Sequence, residues 1–279
     1  MTTATAPIVT APRTLAPAPS SEHKLRWGFA DMVTMTWRNL LAYTRIPEAL
    51  FFSTLQPIMF VLLFRYVFGG AIPIPGGVPY VDYMMPGIFV QTVMFGAVST
   101  SVGLAEDLQK GLIERFRALP MSRSAVLAGR TTADGLRNVF VVLVMTGVAY
   151  AVGFRLGAGV IDYILGALIL LAFAYSMSWG FAAIGLAAPN SETAQVMAFP
   201  ILMPLTFAST AFVPIQAMPG WLQGFVRHQP VSLVVDGARS LMVGHIFHSS
   251  SSVLYALAWI AGLLIVLVPL GVWKYRQTS

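Results

Sequence analysis

The sequence has no cysteine among its 279 residues, and only 10% of its residues are charged. Without cysteine, disulfide frameworks, thiolate chemistry and cysteine-based zinc or iron–sulfur sites are excluded together. Soluble globular domains carry about 25% charged residues, so this chain has too few charges to cover a surface that faces water. The hydrophobic fraction of 57% and the mean hydropathy of +0.74 indicate that much of the outer surface faces lipid.

Lysine is scarce as well, with Lys24, Lys110 and Lys274 as the only three. None of them follows glycine in a G-x-x-x-x-G-K-[ST] phosphate loop, so we expect no ATP binding of that kind by this chain. The formal net charge is +6. Because the sequence has no basic-aromatic patch and no soluble nucleic-acid-recognition domain, we do not expect nucleic-acid binding. The basic residues are instead expected to face anionic lipid and to set the topology.

Six apolar segments each approach the ~20 residues that cross a ~30 Å hydrocarbon core. They lie at 49–68, 83–105, 138–154, 161–187, 193–213 and 253–273. We therefore predict an all-α polytopic membrane protein with about six transmembrane helices. Residues 1–22 are rich in threonine, alanine and proline and predict a disordered tail. The remainder, 23–279, is predicted to form a single transmembrane domain.

An amphipathic helix is predicted before the first span, between residues 27 and 46. Arg38 and Arg45 lie off its apolar stripe, as expected for a helix in the membrane interface. Pro47 then starts a new helix, where its missing N–H costs little. The apolar stripe consists of residues at helical spacing, namely Phe29, Val33, Trp37, Leu40, Leu41 and Thr44.

Lysine and arginine are distributed unevenly between the two sides of the predicted bundle. Cytoplasmic segments of membrane proteins carry an excess of these residues, which predicts that both termini lie on the cytoplasmic side of the cell membrane. Thirteen of the 17 fall on that side, namely Arg13, Lys24, Arg26, Arg38, Arg45, Lys110, Arg115, Arg117, Arg123, Arg130, Arg137, Lys274 and Arg276.

A charged cytoplasmic loop is predicted at 106–137, and its first part has helical periodicity. Charges of alternating sign (Asp107, Lys110, Glu114 and Arg117) follow a second face, and Pro120 ends the helix. Such a helix is suited to docking in the groove of a soluble partner, while a solvated helix that lies on the lipid remains the alternative. One apolar stripe is formed by Leu108, Leu112, Phe116 and Leu119.

A long outer segment, 214–252, is rich in proline, glycine and aromatic residues. Its apolar stretch at Val231–Val235 is too short to span, which favours short re-entrant helices shielded by protein. Asp236 and Arg239 have the i,i+3 spacing of a structural ion pair. A catalytic or metal site there would have one carboxylate, and His245 and His248 supply too few ligands for zinc. We therefore predict no catalytic residue and no metal site.

Polar side chains inside the predicted spans are candidates for a substrate path, with hydrogen bonding between helices as the alternative. No aspartate, glutamate or histidine is expected in the middle of a span, which argues against a transporter driven by protons or sodium. Ala174, Ser178 and Ala182 recur every four residues and predict a close helix contact. The polar candidates are Gln56, Gln91, Tyr150, Trp179, Gln195 and Thr206.

Two separated motifs stand out along the chain. The first covers Glu106 to Arg130, with Gly111, Glu114-Arg115, Arg117-Ala118-Leu119-Pro120 and Ser122-Arg123. The second runs from Phe212-Val213-Pro214 through Met218-Pro219-Gly220-Trp221, Gln229-Pro230 and Val235-Asp236 to Arg239 and Gly244. In this order the two motifs resemble those of ABC-2 type transporter permeases. The Arg45-Ile46-Pro47 step is also similar, and Gln229 departs from the asparagine common before the proline. Within that family, the motifs most resemble those of daunorubicin-resistance drug exporters.

The resemblance implies a permease that pairs with a second copy or a close relative and with two ATP-binding-cassette subunits, which hold the ATP and Mg²⁺. The implied substrate is an amphipathic drug-like, lipid-like or glycan-like compound that is exported. The outer segment is implied to be built around Pro214, Pro219, Pro230, Asp236, Arg239 and Gly244. Coupling to the ATPase is implied for the interfacial helix (Trp37, Arg38, Arg45) and for Glu106, Leu108, Gly111, Leu112, Glu114, Arg115, Phe116, Arg117 and Pro120.

Two other classes of function remain as alternatives. A secondary transporter or channel is expected to show charges inside the membrane or repeated halves. A membrane-embedded lipid-processing enzyme needs convergent ionisable groups.

Overall fold

The computed structural model describes residues 30–41, 47–72, 74–112, 123–157, 159–244, 247 and 249–277. The regular elements within these ranges are helices, which confirms the predicted all-α class. α1 covers residues 30–41. The others are α2 (Pro47–Leu63, continued by a π-helical turn at Phe64–Phe68), α3 (Tyr80–Gln109), α4 (Arg123–Ala151), α5 (Val160–Ala187), α6 (Ser191–Phe207), α7 (Gly220–His228), α8 (Pro230–Met242) and α9 (Ser250–Gln277).

Four of the described helices are long and apolar enough to cross a membrane. They are α3, α5, α9 and the Leu127–Ala151 part of α4. The apolar stretch Thr54–Phe68 and the 17-residue α6 are shorter, and they occupy the positions of the predicted first and fifth spans. The polytopic architecture is confirmed, and the count of six spans stays a prediction.

α3 is the central helix of the bundle, and α9 is peripheral. Most of α3 is buried, whereas only a small part of α9 is covered by the rest of the chain. α3 packs against α4, α5, α6 and α8, while α9 packs mainly against α5 and α8. The apolar side chains left exposed on α9 are those expected of a helix that faces lipid.

The third span differs from the prediction, because its helix begins at Arg123 and not at 138. The second part of the predicted charged loop therefore lies within α4, and its charged side chains pair or form hydrogen bonds with residues of α3. Arg130 pairs with Asp107 at 2.9 Å, and Thr100 donates to the fully buried Asp134 at 2.5 Å. No acidic side chain was expected in the middle of a span, and Asp134, which was predicted to lie in the loop, falls in the first third of the apolar Leu127–Ala151 part of α4.

The predicted helix Glu106–Pro120 is interrupted in the structure. α3 ends at Gln109, and Lys110 and Gly111 form a turn in which Gly111 has a φ of 63°. A residue with a side chain is strained at this angle, so the glycine allows the chain to break here. Residues 113–122 lie outside the described residues.

Small residues bring α5 close to α3, as the Ala174, Ser178 and Ala182 spacing predicts. All three are fully buried. At Gly185 the approach is closer still, because a Cβ added there would lie 2.3 Å from the Ser101 carbonyl oxygen. Contact between the two backbones therefore depends on the absence of a side chain at this position.

Substitution Gly185→Ala is expected to destabilise the protein by about 1–3 kcal/mol, because the methyl group forces α5 away from α3. Gly262→Ala is the matched control, since Gly262 lies in α9 with no atom within 4 Å of an added Cβ. There the better helix propensity of alanine is expected to leave stability unchanged or slightly raised. Thermal unfolding in detergent, followed by intrinsic fluorescence, measures both. Equal midpoints for the two variants would contradict the contact.

Candidate functional site: a membrane cavity and the helix junction beside it

A cavity of about 570 Å³ lies between α2, α3, α4 and α6. Gln56 of α2, Gln91 of α3 and Gln195 of α6 all line it. These are three of the six polar side chains named as candidates for a substrate path, and they come from three different helices. The fold therefore gathers them around one space.

One wall of the cavity is polar and is built by α3 and α4. Gln91 and Asn138 are almost wholly buried, and their side-chain nitrogens, Nε2 and Nδ2, have no hydrogen-bond partner among the described residues. Arg137 lines the same wall and donates to the Gly96 carbonyl at 2.8 Å. The α3 and α4 lining therefore combines two amides with a guanidinium.

Aromatic side chains also line the cavity. Phe60 of α2, Phe95 of α3 and Phe199 of α6 line it, and the rings of Phe95 and Phe199 meet edge to face with centroids 6.3 Å apart. Ligand sites commonly combine aromatic walls with a few fixed polar groups. The cavity is therefore amphipathic in its lining.

The cavity follows α3 from Gln91 to Glu106, which corresponds to about 22 Å along the helix axis. Glu106 is the first residue of the predicted coupling segment, so the cavity reaches the point where that segment begins. Arg130 lines the cavity at this end. A movement of the segment would thus act directly on one end of the cavity.

Tyr150, Trp179 and Thr206 were the other polar candidates, and the structure places all three outside this cavity. Tyr150 packs edge to face on Phe154. Trp179 packs edge to face on Tyr175 in a cluster with Leu127 and Tyr275. Thr206 is buried and donates to the Met94 sulfur at 3.8 Å, a hydrogen bond between helices.

Beside the cavity, α1 joins α3 and α4 through an ion cluster that we call the Asp107 junction, formed by Arg38, Asp107 and Arg130. The Asp107 carboxylate lies 2.9 Å from the Arg130 guanidinium and 3.6 Å from that of Arg38. Thr36 adds a hydrogen bond of 3.2 Å to the Gly129 carbonyl. Three helices therefore meet at one carboxylate.

The opposite face of α1 is apolar and exposed. Trp37 is 63% exposed, and Val33 and Leu41 lie one turn to either side of it on the same face. An exposed apolar stripe along one face of a helix is typical of the membrane interface. Arg45 lies outside the described residues.

The predicted coupling residues are only partly described. Glu106 pairs with Lys110 at 3.2 Å, and both side chains are exposed. Leu108 and Leu112 are half-buried on either side of the Gly111 turn. Outside the described residues lie Glu114, Arg115, Phe116, Arg117 and Pro120.

The predicted outer-segment residues lie at helix boundaries. Pro214 and Pro219 precede helical turns, Pro230 is the first residue of α8, and Gly244 follows α8 with a φ of 64°. At these positions proline and glycine have the local geometry that each favours.

Asp236 and Arg239 form an ion pair of 2.7 Å within α8. The buried Arg239 also donates to the Thr210 and Tyr83 carbonyls, which ties α8 to α3 and to the segment after α6. Over the part of the chain that the structure describes, histidine and acidic side chains form no group of three that would hold a metal ion.

Two functional features escaped the sequence interpretation. Asp107 and Arg130 are 23 residues apart within the segment predicted as a single loop, so their pairing is visible only once α4 is known to begin at Arg123. Asn138 was placed at the start of a span and was not considered for the cavity. The only sequence signal for either feature is a polar side chain beside an apolar run.

An amphipathic cavity inside a polytopic helical bundle is the architecture of a membrane transport subunit. Residues 31–243 match the model of the ABC-2 type transporter family. The daunorubicin resistance ABC transporter permease protein DrrB1 of Streptomyces coeruleorubidus is 34% identical over 247 residues, which is 88% of this chain and 86% of that protein. The probable doxorubicin resistance ABC transporter permease protein DrrC of Mycobacterium tuberculosis is 27% identical over 95% of this chain and 96% of its own length.

The chain therefore belongs to the ABC-2 type transporter family, which confirms the resemblance found in the sequence. It is a multi-pass membrane permease subunit, without a catalytic role of its own, and it works with an ATP-binding subunit.

Proposed function

We propose that this permease exports an amphipathic drug-like compound across the cell membrane. The observation that carries the proposal is the cavity between α2, α3, α4 and α6, whose lining combines polar and aromatic side chains. Its volume of about 570 Å³ lies within the roughly 300–1,000 Å³ typical of small-molecule sites. Two similar permeases are named for resistance to daunorubicin and doxorubicin, which supports a drug-like substrate over a lipid-like or glycan-like one.

In this proposal the working unit contains two permeases, identical or closely related, and two ATP-binding-cassette subunits. ATP and Mg²⁺ are bound by those subunits, and this chain supplies no ATP-binding site. Both termini face the cytoplasm, since thirteen of the 17 lysines and arginines fall on that side.

The conformational change that ATP binding drives in the ATPase is proposed to be transmitted to this chain through segment 106–120. At its start, the Asp107 junction links α3 to α4 and α1. Because α3 and α4 also form the polar wall of the cavity, a displacement of the junction changes the shape of the binding site. The ATPase thereby supplies the energy, and this chain supplies a different substrate affinity in each state.

The test is a mild-detergent pull-down of the chain from its own membrane, with ATPase activity measured in the eluate. An ATP-binding subunit is expected to co-purify. Leu112→Asp combined with Phe116→Asp is expected to reduce the co-purified ATPase severalfold, because two charges replace the apolar contact surface.

Gln109→Asp is the control, since it adds one negative charge at an exposed position of the same segment and should leave the complex intact. A chain that purifies without any ATPase would refute the proposal. Unchanged co-purification with the double variant would place the docking surface elsewhere.

A further inference from the structure

We infer that a groove between α5, α6 and α9 binds an anionic phospholipid, with one acyl chain along the groove and the phosphate next to Lys274. The groove has a volume of about 430 Å³ and shares no lining residue with the cavity between α2, α3, α4 and α6. The inference goes beyond the proposed function, because it concerns a lipid that stays bound to the permease and is not exported.

The lining of the groove is apolar except at one end. Leu263, Leu267 and Leu270 of α9 line it at spacings of four and three residues, which places them on one face of the helix. Lys274 follows one turn further along, and it is the one charged side chain among the described residues that line the groove. An apolar chain suits such a surface, because an unfilled groove would lose the van der Waals contacts of its lining.

The length of the groove corresponds to one leaflet of a bilayer. The groove follows α9 from Leu263 to Lys274 and α5 from Met177 to Ala187, which is about 15–17 Å along the helix axes. The hydrocarbon core of a bilayer is about 30 Å thick, so the groove covers about half of it. A transmembrane helix of a partner subunit needs the full thickness, whereas an acyl chain of one leaflet needs half.

The Lys274 end of the groove lies at the membrane surface. Trp273 is 55% exposed, and Lys274 and Arg276 belong to the last turn of α9. Tryptophan and basic residues mark the level of the lipid headgroups, so the Lys274 ammonium group lies at the height of a phosphate. In the proposed orientation this is the cytoplasmic leaflet, whose anionic lipids attract basic residues. Charge complementarity therefore favours an anionic phospholipid over a zwitterionic one.

The groove is accessible from the lipid because α9 is the peripheral helix of the bundle. Only a small part of α9 is covered by the rest of the described chain, and Leu270 is 41% exposed. Small residues of α5, namely Gly180, Ala183 and Ala187, form the opposite side. At Gly180 an added Cβ would lie 3.2 Å from the Leu267 side chain, so α5 and α9 meet there and close the floor of the groove. A lipid chain can therefore enter from the side.

α6 separates the groove from the cavity of the proposed substrate path. Met197 and Ile201 of α6 line the groove, whereas Gln195 and Phe199 of the same helix line the cavity. An acyl chain in the groove therefore packs against the helix that forms one side of the cavity. The bound lipid thus supports the position of α6.

The experiment titrates the purified complex of permease and ATPase in detergent with palmitoyl-oleoyl phosphatidylglycerol, and separately with palmitoyl-oleoyl phosphatidylcholine. The two probes have the same chains and differ in headgroup charge. Native mass spectrometry measures the affinity for the first lipids bound and the subunit composition of the complex. Phosphatidylglycerol is expected to bind at least about fivefold more tightly, the factor that one basic residue near an anionic lipid contributes.

Two variants test the two parts of the site. Lys274→Gln is expected to lower the affinity for phosphatidylglycerol about fivefold and to leave that for phosphatidylcholine unchanged. Ala183→Phe fills the groove and is expected to lower both affinities about tenfold. The matched controls are Arg276→Gln, in the same turn as Lys274, and Ile265→Phe, on the exposed face of α9. Neither residue lines the groove, and both controls are expected to change the affinities by less than about twofold.

Equal affinities for the two lipids overturn the inference, as does an unchanged affinity for phosphatidylglycerol in both Lys274→Gln and Ala183→Phe. If Ala183→Phe fails to insert, Lys274→Gln and the comparison of headgroups still decide. A complex that loses one permease copy in Ala183→Phe would assign the groove to contact between copies, and the inference would be wrong. It would also be wrong if Ala183→Phe kept its lipid but lost the stimulation of the ATPase by daunorubicin, because the groove would then hold the exported compound.

Discussion

Replacement of Arg239 by alanine is expected to destabilise the folded permease by about 3–5 kcal/mol, the range for one partner removed from a buried ion pair. The side chain of Arg239 is only 4% exposed, and its guanidinium lies 2.7 Å from the Asp236 carboxylate. The substitution leaves that carboxylate without its counter-ion in a half-buried position. It also creates a cavity where the arginine was.

The loss extends beyond the ion pair because Arg239 joins three parts of the bundle. It donates to the Tyr83 carbonyl at 3.0 Å and to the Thr210 carbonyl at 2.7 Å, and its guanidinium lies 3.8 Å from the centre of the Tyr83 ring. Both carbonyls are then left with fewer donors in a buried setting, which adds a cost of its own. The Arg239 side chain thus connects α8 to α3 and to the segment after α6.

Thermal unfolding of the purified variant measures the effect, with Arg239→Lys as an intermediate case. Lysine keeps the charge, but it lacks the planar fork that serves several acceptors at once, so its midpoint is expected between those of alanine and the parent. Arg227→Ala removes an exposed arginine of the same outer segment and is expected to change little. A midpoint for Arg239→Ala equal to that of Arg227→Ala would show that the contacts around Arg239 contribute nothing.

The architecture was predictable from the sequence because the bilayer imposes it. A chain with 10% charged residues and repeated apolar runs has few alternatives to a helical bundle, since unpaired backbone groups are too costly in lipid. Pro47 marks the start of α2 for a similarly local reason, and the predicted start is confirmed. Such features depend on composition and on single residues.

The start of α4 was not predictable in the same way. Arg130, Asp134 and Arg137 carry charges that argue against a helix in the membrane when the segment is considered alone. Their partners lie on α3, at Asp107, Thr100 and Gly96. Only the packed pair of helices shows that these charges are satisfied, so the boundary is a property of tertiary structure.

The cavity was predicted in part, for a related reason. Gln56, Gln91 and Gln195 were identified as polar residues in apolar segments, and they line one space. Trp179 met the same criterion, yet it packs in a separate cluster. Helical periodicity states which residues share a face, but it does not state which neighbour that face meets.

Asp107 is the residue whose loss is expected to uncouple ATP hydrolysis from transport. Asp107→Ala removes a carboxylate that contacts both Arg130, at 2.9 Å, and Arg38, at 3.6 Å. The two cations then lose the charge that holds α1 and α4 to the end of α3. α3 and α4 carry the polar wall of the cavity. Without the junction, a displacement of segment 106–120 is expected to move α3 without moving α4 along with it, so the shape of that wall no longer follows the state of the ATPase.

The expected result is a complex that assembles and hydrolyses ATP, but whose stimulation by substrate and whose export fall by at least about tenfold, equivalent to roughly 1.4 kcal/mol of coupling. Export is measured with a fluorescent drug in cells, and stimulation is measured in nanodiscs. Asp107→Asn keeps the shape and a neutral acceptor, and it should retain part of the coupling. Lys110→Ala is the control because it also breaks an ion pair, the exposed Glu106–Lys110 pair, and such exposed pairs contribute only about 0.3–0.5 kcal/mol.

Parental export by Asp107→Ala would remove the junction from the mechanism. A complex that loses its ATPase altogether would assign Asp107 to subunit docking instead of transmission. The substrate-stimulated ATPase rate distinguishes these outcomes, since it requires both an assembled complex and a connection between the nucleotide site and the cavity. Transmission through Asp107 therefore predicts one combination, in which assembly is retained and stimulation is lost.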